Sequence, residues 1–449
     1  MKKSSRLSMF AAAAAAALVA SALPALAHPT HDGSGKEAGF DQVAEDVSPG
    51  GVPQERMSDI RCEDGMAGIF PCQQVDLASF IPLKEMNSIW ANDVWGWTDP
   101  VTGREYALAK LYEGTAFVDI TNASNPTYLG TLPSPAPDPS ESGHIWGDIK
   151  TYGNHAYIGS EADGHGIQIF DLTRLRTAVG EQEWTQDGLI DDVGQSHNVA
   201  INEDSGTLYV IGAWDKLRAK GCRDVDGGPI MYDLSNPTDP ELVGCYGGDG
   251  YTHDIQCVDY AGPDADYRGR EICVASNEDT VTVLDVTDKG SIDLVARTPY
   301  ETSAYTHQGW FTEDHQYFLL GDELDELFGT VDGTTTYVWD LQDLDDPQLI
   351  GMDNDGNTSI DHNIFIKDGL AYKSNYTSGL RIDDTFQVGQ GRLTERGFFD
   401  MFPSDDDTKF AGTWGNYPYF DDGIVAVTST EEGLFILRNR SKSATTSAN

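Results

Sequence analysis

The chain has 449 residues and is strongly acidic, with 73 Asp and Glu against 29 Lys and Arg and a formal net charge of −44 at pH 7. Nucleic acids and anionic membrane surfaces are bound through Lys and Arg, so this charge argues against both as partners. The length exceeds what one simple core usually holds, but a repeat architecture escapes that limit.

The first 27 residues are predicted to be a secretory signal peptide. Lys2, Lys3 and Arg6 precede an Ala-rich apolar run that ends near Ala22, and residues 25–27 form a small-residue cleavage site. A transmembrane anchor is the alternative, but the run is short for a span. Because no later stretch approaches ~20 apolar residues, we expect no membrane insertion. The predicted location is secreted, extracellular or periplasmic, with cell-surface association as an option.

Residues 28–60 are polar, rich in Gly and Pro and without periodicity, which predicts a disordered lead-in. The Ser/Thr-rich residues 441–449 are predicted to be a disordered tail. Between these segments lie short β runs bounded by Gly, Asn, Asp and Pro. In the first unit they predict four strands, a to d, of one antiparallel blade, at residues 93–97, 105–109, 114–120 and 127–132.

The same unit recurs along the chain, and its last copy is incomplete. Five further units follow the first, and the seventh supplies only three strands, within residues 413–437. Residues 75–83 form a strand-like stretch without a partner before it. They can supply the missing strand d and so remove exposed edges from the ring. The sequence therefore predicts an all-β fold, a monomeric seven-bladed β-propeller over residues 61–440 whose last blade is closed by an N-terminal strand.

Six cysteines in an exported chain predict disulfides, for which six cysteines allow 15 pairings. Nearest-neighbour pairing leaves no cysteine over, so a catalytic thiol is not expected. The favoured pairs are Cys62 with Cys72, Cys222 with Cys245, and Cys257 with Cys273.

An Asp recurs at the end of predicted strand c in five units: Asp119, Asp171, Asp233, Asp285 and Asp340. We interpret these residues as turn formers rather than catalytic groups, because Asp side chains bond nearby backbone amides in such turns.

Five of the ten histidines occupy one equivalent position, at the predicted start of strand a. They are 53, 56, 54 and 55 residues apart: His144, His197, His253, His307 and His362. Strand a is innermost in a propeller, so these imidazoles should ring one mouth of the central channel. The ends of strand b reach the same face and are predicted to bring carboxylates there: Glu161, Asp215, Glu278, Asp322, Glu323 and Glu431.

Neutral imidazole with carboxylate is a common ligand set for Zn, Cu, Fe or Ni. The candidate metal ligands are the five histidines together with Glu161, Glu278, Asp322 and Glu323. The alternative is that each histidine caps its blade by donating to a backbone carbonyl of the neighbouring blade. Units one and seven carry Asn92 and residues 412–413 at this position, which a purely structural cap would not obviously tolerate.

Acidic turns are a second candidate metal site, for Ca²⁺. The turn at residues 353–357 is rich in Asp and Asn, but it lacks the sixth-position Gly and twelfth-position Glu of an EF-hand loop. We interpret it as a solvated loop.

Strand c followed by Asp and a turn, as in residues 282–287, is similar to the LVIVD repeat of secreted bacterial propeller-like proteins. Residues 62–77, residues 164–171 and the triplet Thr252-His253-Asp254 resemble the choice-of-anchor B family. The resemblance covers nearly all of residues 60–438. It implies a propeller whose relatives differ in their C-terminal surface anchors, and it carries no known biochemical activity.

Three functions remain open, because propellers host all of them. The first is a secreted binding or interaction module for an extracellular protein, glycan or small molecule, with a His-rich metal or ligand site at the channel mouth. The second is a metal-dependent hydrolase, lyase or oxidase that uses the same site, with metal-activated water and one carboxylate as base. The third is a structural cell-surface scaffold whose histidines are caps.

Overall fold

The computed structural model of the chain describes residues 47–213, 222 and 225–444. Seven β-sheets follow one another so that strand a of each contacts strand a of the next, and strand a of the seventh contacts that of the first. A closed ring of this kind is a seven-bladed β-propeller, with strand a innermost. The predicted fold class is confirmed.

Blades 1 to 5 each contain four antiparallel strands in the order a, b, c, d. In blade 1 these are Ala91–Thr98, Glu105–Leu111, Gly114–Asp119 and Thr127–Pro133; in blade 2, Gly147–Tyr152, His155–Ser160, Ile167–Asp171 and Gly188–Ile190; in blade 3, Asn198–Asn202, Thr207–Ile211, Ile230–Asp233 and Glu241–Cys245; in blade 4, Asp254–Asp259, Glu271–Ser276, Thr280–Asp285 and Asp293–Pro299; in blade 5, Thr306–Phe311, Tyr317–Asp322, Thr335–Asp340 and Gln348–Asn354.

Blade 7 is assembled from both ends of the chain, as predicted. Its strands a to c are Thr413–Tyr417, Ile424–Ser429 and Gly433–Asn439, and its strand d is Val75–Pro82. The register places Phe80 opposite Phe435. This pairing closes the ring and satisfies backbone groups that would otherwise form an exposed edge.

Three short strands before residue 75 were not predicted. Met57–Ile60 adds a fifth strand to blade 7. Phe70–Gln73, with Met66–Ala67 beside it, extends blade 6, whose strands a to d are Ile364–Lys367, Leu370–Ser374, Leu380–Asp384 and Thr394–Phe399. Residues 47–60 lie inside the segment 28–60 expected to be disordered, and they include a strand that pairs with blade 7. These strands form because the outer edges of the two blades offer unpaired backbone groups.

The structure describes the beginning of the expected C-terminal tail but none of the expected signal peptide. Residues 1–27, where a signal peptide is predicted, and the last five residues lie outside the described part of the chain. At the other end, the backbone N–H of Ala444 donates to Oδ2 of Asp384 at 2.6 Å, so the beginning of the expected tail packs against blade 6.

Helical structure among the described residues is limited to connections between strands. One α-helical turn spans Asp325–Phe328, after strand b of blade 5. The 3₁₀ turns are Leu83–Met86, Ser142–Ile145, Leu172–Thr177, Val388–Gln390 and Asp421–Gly423. Within the described ranges, no helix is both long and apolar enough to cross a membrane.

Burial along the strands follows their position in the blade. Strands b and c lie between neighbouring blades, so both of their faces are covered and runs such as Glu271–Ser276 and Thr280–Asp285 are buried at every residue. The outermost strand Gln348–Asn354 instead alternates exposed and half-buried residues, as a strand with one solvated face does. The core therefore consists of apolar layers between blades, and strand a of each blade lines the channel.

All six cysteines are paired as predicted: Cys62 with Cys72, Cys222 with Cys245, and Cys257 with Cys273. Three disulfides indicate an oxidising compartment.

The interpretation of the recurring Asp residues as turn formers is also supported. Each accepts a hydrogen bond from the backbone N–H two residues later, at 2.7–3.0 Å: Asp119, Asp171, Asp233, Asp285 and Asp340.

Candidate metal centre

Four of the five repeated histidines form an unbroken arc at one mouth of the channel. Successive ring centroids lie 4.3 Å apart for His197 and His253, 4.1 Å for His253 and His307, and 4.6 Å for His307 and His362. All four side chains are buried. The arc forms because each ring stands at or just before the start of strand a in blades 3 to 6.

Two of these rings are tied to the neighbouring blade through one nitrogen. Nδ1 of His253 lies 2.9 Å from the carbonyl oxygen of His307, and Nδ1 of His362 lies 2.6 Å from that of Trp414. A carbonyl oxygen can only accept, so Nδ1 carries the hydrogen in both rings and Nε2 of the neutral ring is the basic nitrogen. Burial lowers the pKa of His362 to about 3, so this ring is neutral at pH 7.

The alternative in which a histidine caps its blade by donating to a carbonyl of the next blade therefore holds for His253 and His362. Asn92 stands at the same position in blade 1, and its amide donates to the carbonyl oxygen of Ile145 at 2.7 Å. Asn92 thus makes the same kind of cross-blade bond, and its presence does not argue against a cap. Capping uses Nδ1 and ligation of a metal would use Nε2, so the two roles are compatible. A backbone carbonyl on the remote nitrogen is the usual arrangement of metal-binding histidines, because it fixes the tautomer and the ring orientation.

Glu323 projects between the last two rings of the arc. Its Oε2 is 3.6 Å from Nε2 of His307, and its Oε1 is 3.6 Å from Nε2 of His362. The hydroxyl of Tyr376 donates to Oε1 at 2.7 Å, whereas Oε2 has no hydrogen-bond partner among the described residues. Burial raises the pKa of Glu323 to about 8.

The spacing of these donor atoms suits a metal ion. His253, His307 and Glu323 each offer a ligand atom, and these three atoms lie within 4.8 Å of one another. Two ligands of a tetrahedral ion with bonds of about 2.1 Å are about 3.4 Å apart. The 3.6 Å separations of Glu323 from His307 and His362 are too long for hydrogen bonds and close to that value.

His197 and Glu161 lie at the other end of the arc and contact each other directly. Nδ1 of His197 is 2.6 Å from Oε1 of Glu161. A carboxylate on the remote nitrogen of an imidazole is a common outer partner of a metal-binding histidine. The structure thus brings both residues to the predicted mouth, with Glu161 placed as a partner of His197.

Two tyrosines lie next to His253 in the arc, with ring centroids 6.4 Å away for Tyr251 and 5.3 Å away for Tyr305. Burial raises the pKa of Tyr251 and of Tyr305, and the negative charges of Glu161, Glu278 and Glu323 raise both further. Glu278 has its own pKa raised by burial. The sequence reasoning missed these phenols, although the triplet Tyr-Thr-His occurs at both residues 251–253 and 305–307 and could have revealed them.

Two predicted ligands are used elsewhere. His144 lies in the turn Ser142–Ile145, where its Nε2 is 2.8 Å from the carbonyl oxygen of Asp138 and its ring packs against Tyr112. Asp322 accepts hydrogen bonds from the hydroxyl of Tyr300 and from the backbone N–H groups of residues 304 and 305. Both residues therefore stabilise turns, while Asp215 lies outside the described residues.

The acidic turn at residues 353–357 is occupied by contacts within the protein. Asp353 accepts from the backbone N–H of Leu393, and Asp355 accepts from the amide of Asn375. The ammonium group of Lys373 is 3.8 Å from Asp355. These contacts give the turn a structural role.

A charged cluster lies in the channel beneath the histidines, and the sequence reasoning missed it. The ammonium group of Lys150 is 2.5 Å from Asp148, 3.5 Å from Asp93 and 4.4 Å from the ring centre of Trp95. Burial raises the pKa of Asp254 to about 7. These side chains line a cavity that continues inward from the arc.

The fold and the site together define a seven-bladed β-propeller with a His- and Glu-lined channel mouth, an architecture that supports a binding or interaction module. No protein-family model matches the chain, and no curated protein matches it.

Similarity to solved structures concerns the fold alone. The β-propeller domain of Cps50 (Swd1) from Myceliophteria thermophila is 9% identical over 74% of this chain and 93% of that chain, with a TM-score of 0.45. The RRP9 WD40 repeats are 13% identical over 78% and 95%, with a TM-score of 0.49. A protein from Lactobacillus plantarum is 14% identical over 76% and 89%, with a TM-score of 0.43.

Proposed function

We propose that the protein is an exported β-propeller binding module that holds one transition-metal ion at the channel mouth, with His253, His307, His362 and Glu323 as ligands. The observation that carries the proposal is the position of Glu323, a fully buried carboxylate 3.6 Å from the Nε2 atoms of both His307 and His362. A divalent ion between them would stabilise the ionised form of Glu323, whose pKa burial raises to about 8, and would satisfy Oε2.

The donor set limits the choice of metal. Three imidazoles and one carboxylate suit Zn, Cu, Fe or Ni rather than a hard ion such as Mg²⁺. Zn²⁺ fits four ligands in a tetrahedral arrangement. The tautomers of His253 and His362 are fixed by backbone carbonyls, so two of the basic nitrogens are already positioned.

The role of the ion depends on whether a coordination position remains open. A closed four-ligand site would organise the mouth of a binding module, whereas an enzyme needs a position for water or substrate. The cavity below the arc and the neighbouring carboxylate Glu278 keep the metal-dependent enzyme as the second candidate. The ligand of the binding module would be an extracellular protein, glycan or small molecule.

The test is elemental analysis of the mature protein purified without a metal-affinity tag. We expect about one transition-metal ion per chain, and its loss in the double variant His253→Ala/His307→Ala. His155→Ala is the matched control, because this partly exposed histidine lies on strand b of blade 2, outside the arc. A wild-type protein that takes up no Zn, Cu, Fe or Ni, even after incubation with each ion, would sink the proposal.

A further inference from the structure

Three carboxylates converge in the interior immediately behind Glu323. Asp325 and Glu326 follow strand b of blade 5, and Asp361 precedes strand a of blade 6. Their exposed fractions are 0%, 9% and 2%, and one oxygen from each lies within 4.8 Å of the others. This group, the carboxylate site, is separate from the imidazoles of the arc.

Part of the hydrogen-bonding capacity of the carboxylate site is already used. The hydroxyl of Tyr337 donates to Oδ2 of Asp325 at 2.7 Å, and the backbone N–H of Thr335 donates to Oε1 of Glu326 at 3.0 Å. The carboxyl groups of Asp325 and Glu326 also contact each other, and apart from this contact Oδ1 of Asp325 and Oε2 of Glu326 have no hydrogen-bond partner in the described part of the chain. The contacts with Tyr337 and Thr335 orient the side chains and leave one oxygen of each for another partner.

Asp361 provides an independent observation. Neither of its oxygens has a hydrogen-bond partner among the described residues, although the side chain is almost wholly buried. The buried ammonium of Lys373 lies 2.6 Å from Asp383 and is engaged there. A buried polar group of this kind indicates an ion or a water that completes its contacts.

We propose that Asp325, Glu326 and Asp361 bind a hard divalent cation of the Ca²⁺ class. All the donors are oxygens, which suit Ca²⁺, Mg²⁺ and Mn²⁺ and not the ions favoured by imidazole. Ca²⁺ takes oxygen ligands at 2.3–2.6 Å, so opposite ligands are about 5 Å apart and a set within 4.8 Å fits one coordination sphere. Carbonyl oxygens or water complete the six to eight ligands.

Packing fixes the position of the Asp361 carboxylate. Asp361 lies against Gly321, where an added Cβ would come within 2.0 Å of its Oδ2. Glycine is therefore required for Asp361 to reach the site. The carboxylate is held in place by the backbone of strand b in blade 5, which also positions Asp325 and Glu326.

Terbium luminescence provides a direct test, because Tb³⁺ occupies Ca²⁺ sites and is sensitised by nearby aromatic rings such as that of Tyr337. The mature protein is first treated with EDTA, exchanged into buffer with 0.15 M KCl, and titrated with Tb³⁺. We expect one tight site per chain whose luminescence disappears when Ca²⁺ is added. Asp361→Asn, a nearly isosteric change, should weaken this binding at least ~10-fold.

Two controls keep the result interpretable on this acidic protein. Asp345→Asn alters an exposed carboxylate of the group Asp264, Asp343 and Asp345 and should leave the tight phase unchanged. Ca²⁺ should raise the midpoint of thermal unfolding of the wild type but not of Asp361→Asn, and Glu326→Gln should behave like Asp361→Asn. The proposal is overturned if the wild type and Asp361→Asn give equal luminescence, or if Ca²⁺ leaves the wild-type signal and unfolding midpoint unchanged.

Discussion

The hydroxyl of Tyr376 lies 2.7 Å from Oε1 of Glu323, and its ring packs against that of His362 with centroids 4.8 Å apart. Tyr376 is fully buried in the turn after strand b of blade 6. It therefore orients a carboxylate supplied by blade 5 next to an imidazole supplied by blade 6. One phenol thus connects two of the proposed ligands without being a ligand itself.

This contact predicts the effect of Tyr376→Phe. The variant keeps the ring packing and removes only the hydrogen bond to Glu323, so metal affinity should fall by ~10- to 100-fold while the saturating stoichiometry stays the same. Competition titration with a chromogenic chelator measures both quantities. Tyr372→Phe is the control, since its hydroxyl is bonded to Asn439 instead. Equal metal affinity in the two variants would contradict the role assigned to Tyr376.

A pH dependence of stability is expected from His165, which is fully buried and lies outside the arc. Burial lowers its pKa to about 3, from 6.5 in an unfolded chain, and its Nδ1 donates to the carbonyl oxygen of Gly166 at 2.9 Å. Between pH 6.5 and 3 the unfolded state binds the proton and the folded state does not. The contribution of His165 to the free energy of unfolding is therefore fully present above pH 6.5 and declines as the pH falls towards 3.

His165→Asn tests this dependence. The asparagine amide can replace the Nδ1 donor but cannot be protonated, so the variant should lose a slope of up to about 1.4 kcal/mol per pH unit between pH 6 and 4. Urea unfolding at several pH values gives the free energies of unfolding. The same slope in the variant and the wild type would show that His165 is protonated in the folded protein.

Closure of blade 7 predicts a large cost for truncating its N-terminal strand. Phe80 is fully buried, and its ring centroid is 4.5 Å from that of Phe435 on the C-terminal strand. Phe80→Ala should lower the free energy of unfolding by about 3–5 kcal/mol, because it leaves a cavity in the seam that closes the ring. Phe386→Ala, at a side chain that is 64% exposed, should change it little. Similar unfolding curves for the two variants would refute the importance of this seam.

Most of the fold could be predicted because the sequence repeats its signals. A histidine before strand a, an Asp after strand c and the missing fourth strand of the last unit together define seven blades. The strands Met57–Ile60 and Phe70–Gln73 could not be predicted, because they are short and depend on edges offered by residues far away in the chain. Their pairing is a tertiary effect without a periodic signal.

The site could be predicted only in part, for reasons of local geometry. His144 leaves the arc because strand a of blade 2 begins at Gly147, three residues after the histidine, whereas in blades 3 to 6 it begins within two residues of it. Asp322 and Glu323 are adjacent at the end of a strand, where successive side chains point to opposite faces, so only one of them faces the histidines. Neither the orientation of an imidazole nor the hydroxyl of Tyr376 can be inferred from spacing.

The two proposed cation sites share their backbone, which leads to the last prediction. Glu323 and Asp325 belong to one segment after strand b of blade 5, and Asp361 directly precedes His362. An ion in the carboxylate site would restrain both segments and hold Glu323 and His362 in position for the second ion. Binding of Ca²⁺ should therefore increase the affinity of the arc for Zn²⁺, and by linkage Zn²⁺ should increase that for Ca²⁺ by the same factor.

Calorimetric titration of the EDTA-treated protein with Zn²⁺, with and without saturating Ca²⁺, measures this coupling. Couplings of this kind amount to about 1–3 kcal/mol, equivalent to ~5- to 150-fold in affinity. In Asp361→Asn the Zn²⁺ affinity should be independent of Ca²⁺, and in His253→Ala/His307→Ala the Ca²⁺ affinity should be independent of Zn²⁺. A Zn²⁺ affinity that Ca²⁺ leaves unchanged in the wild type, with both ions bound, would mean that the shared segments are already rigid without either ion.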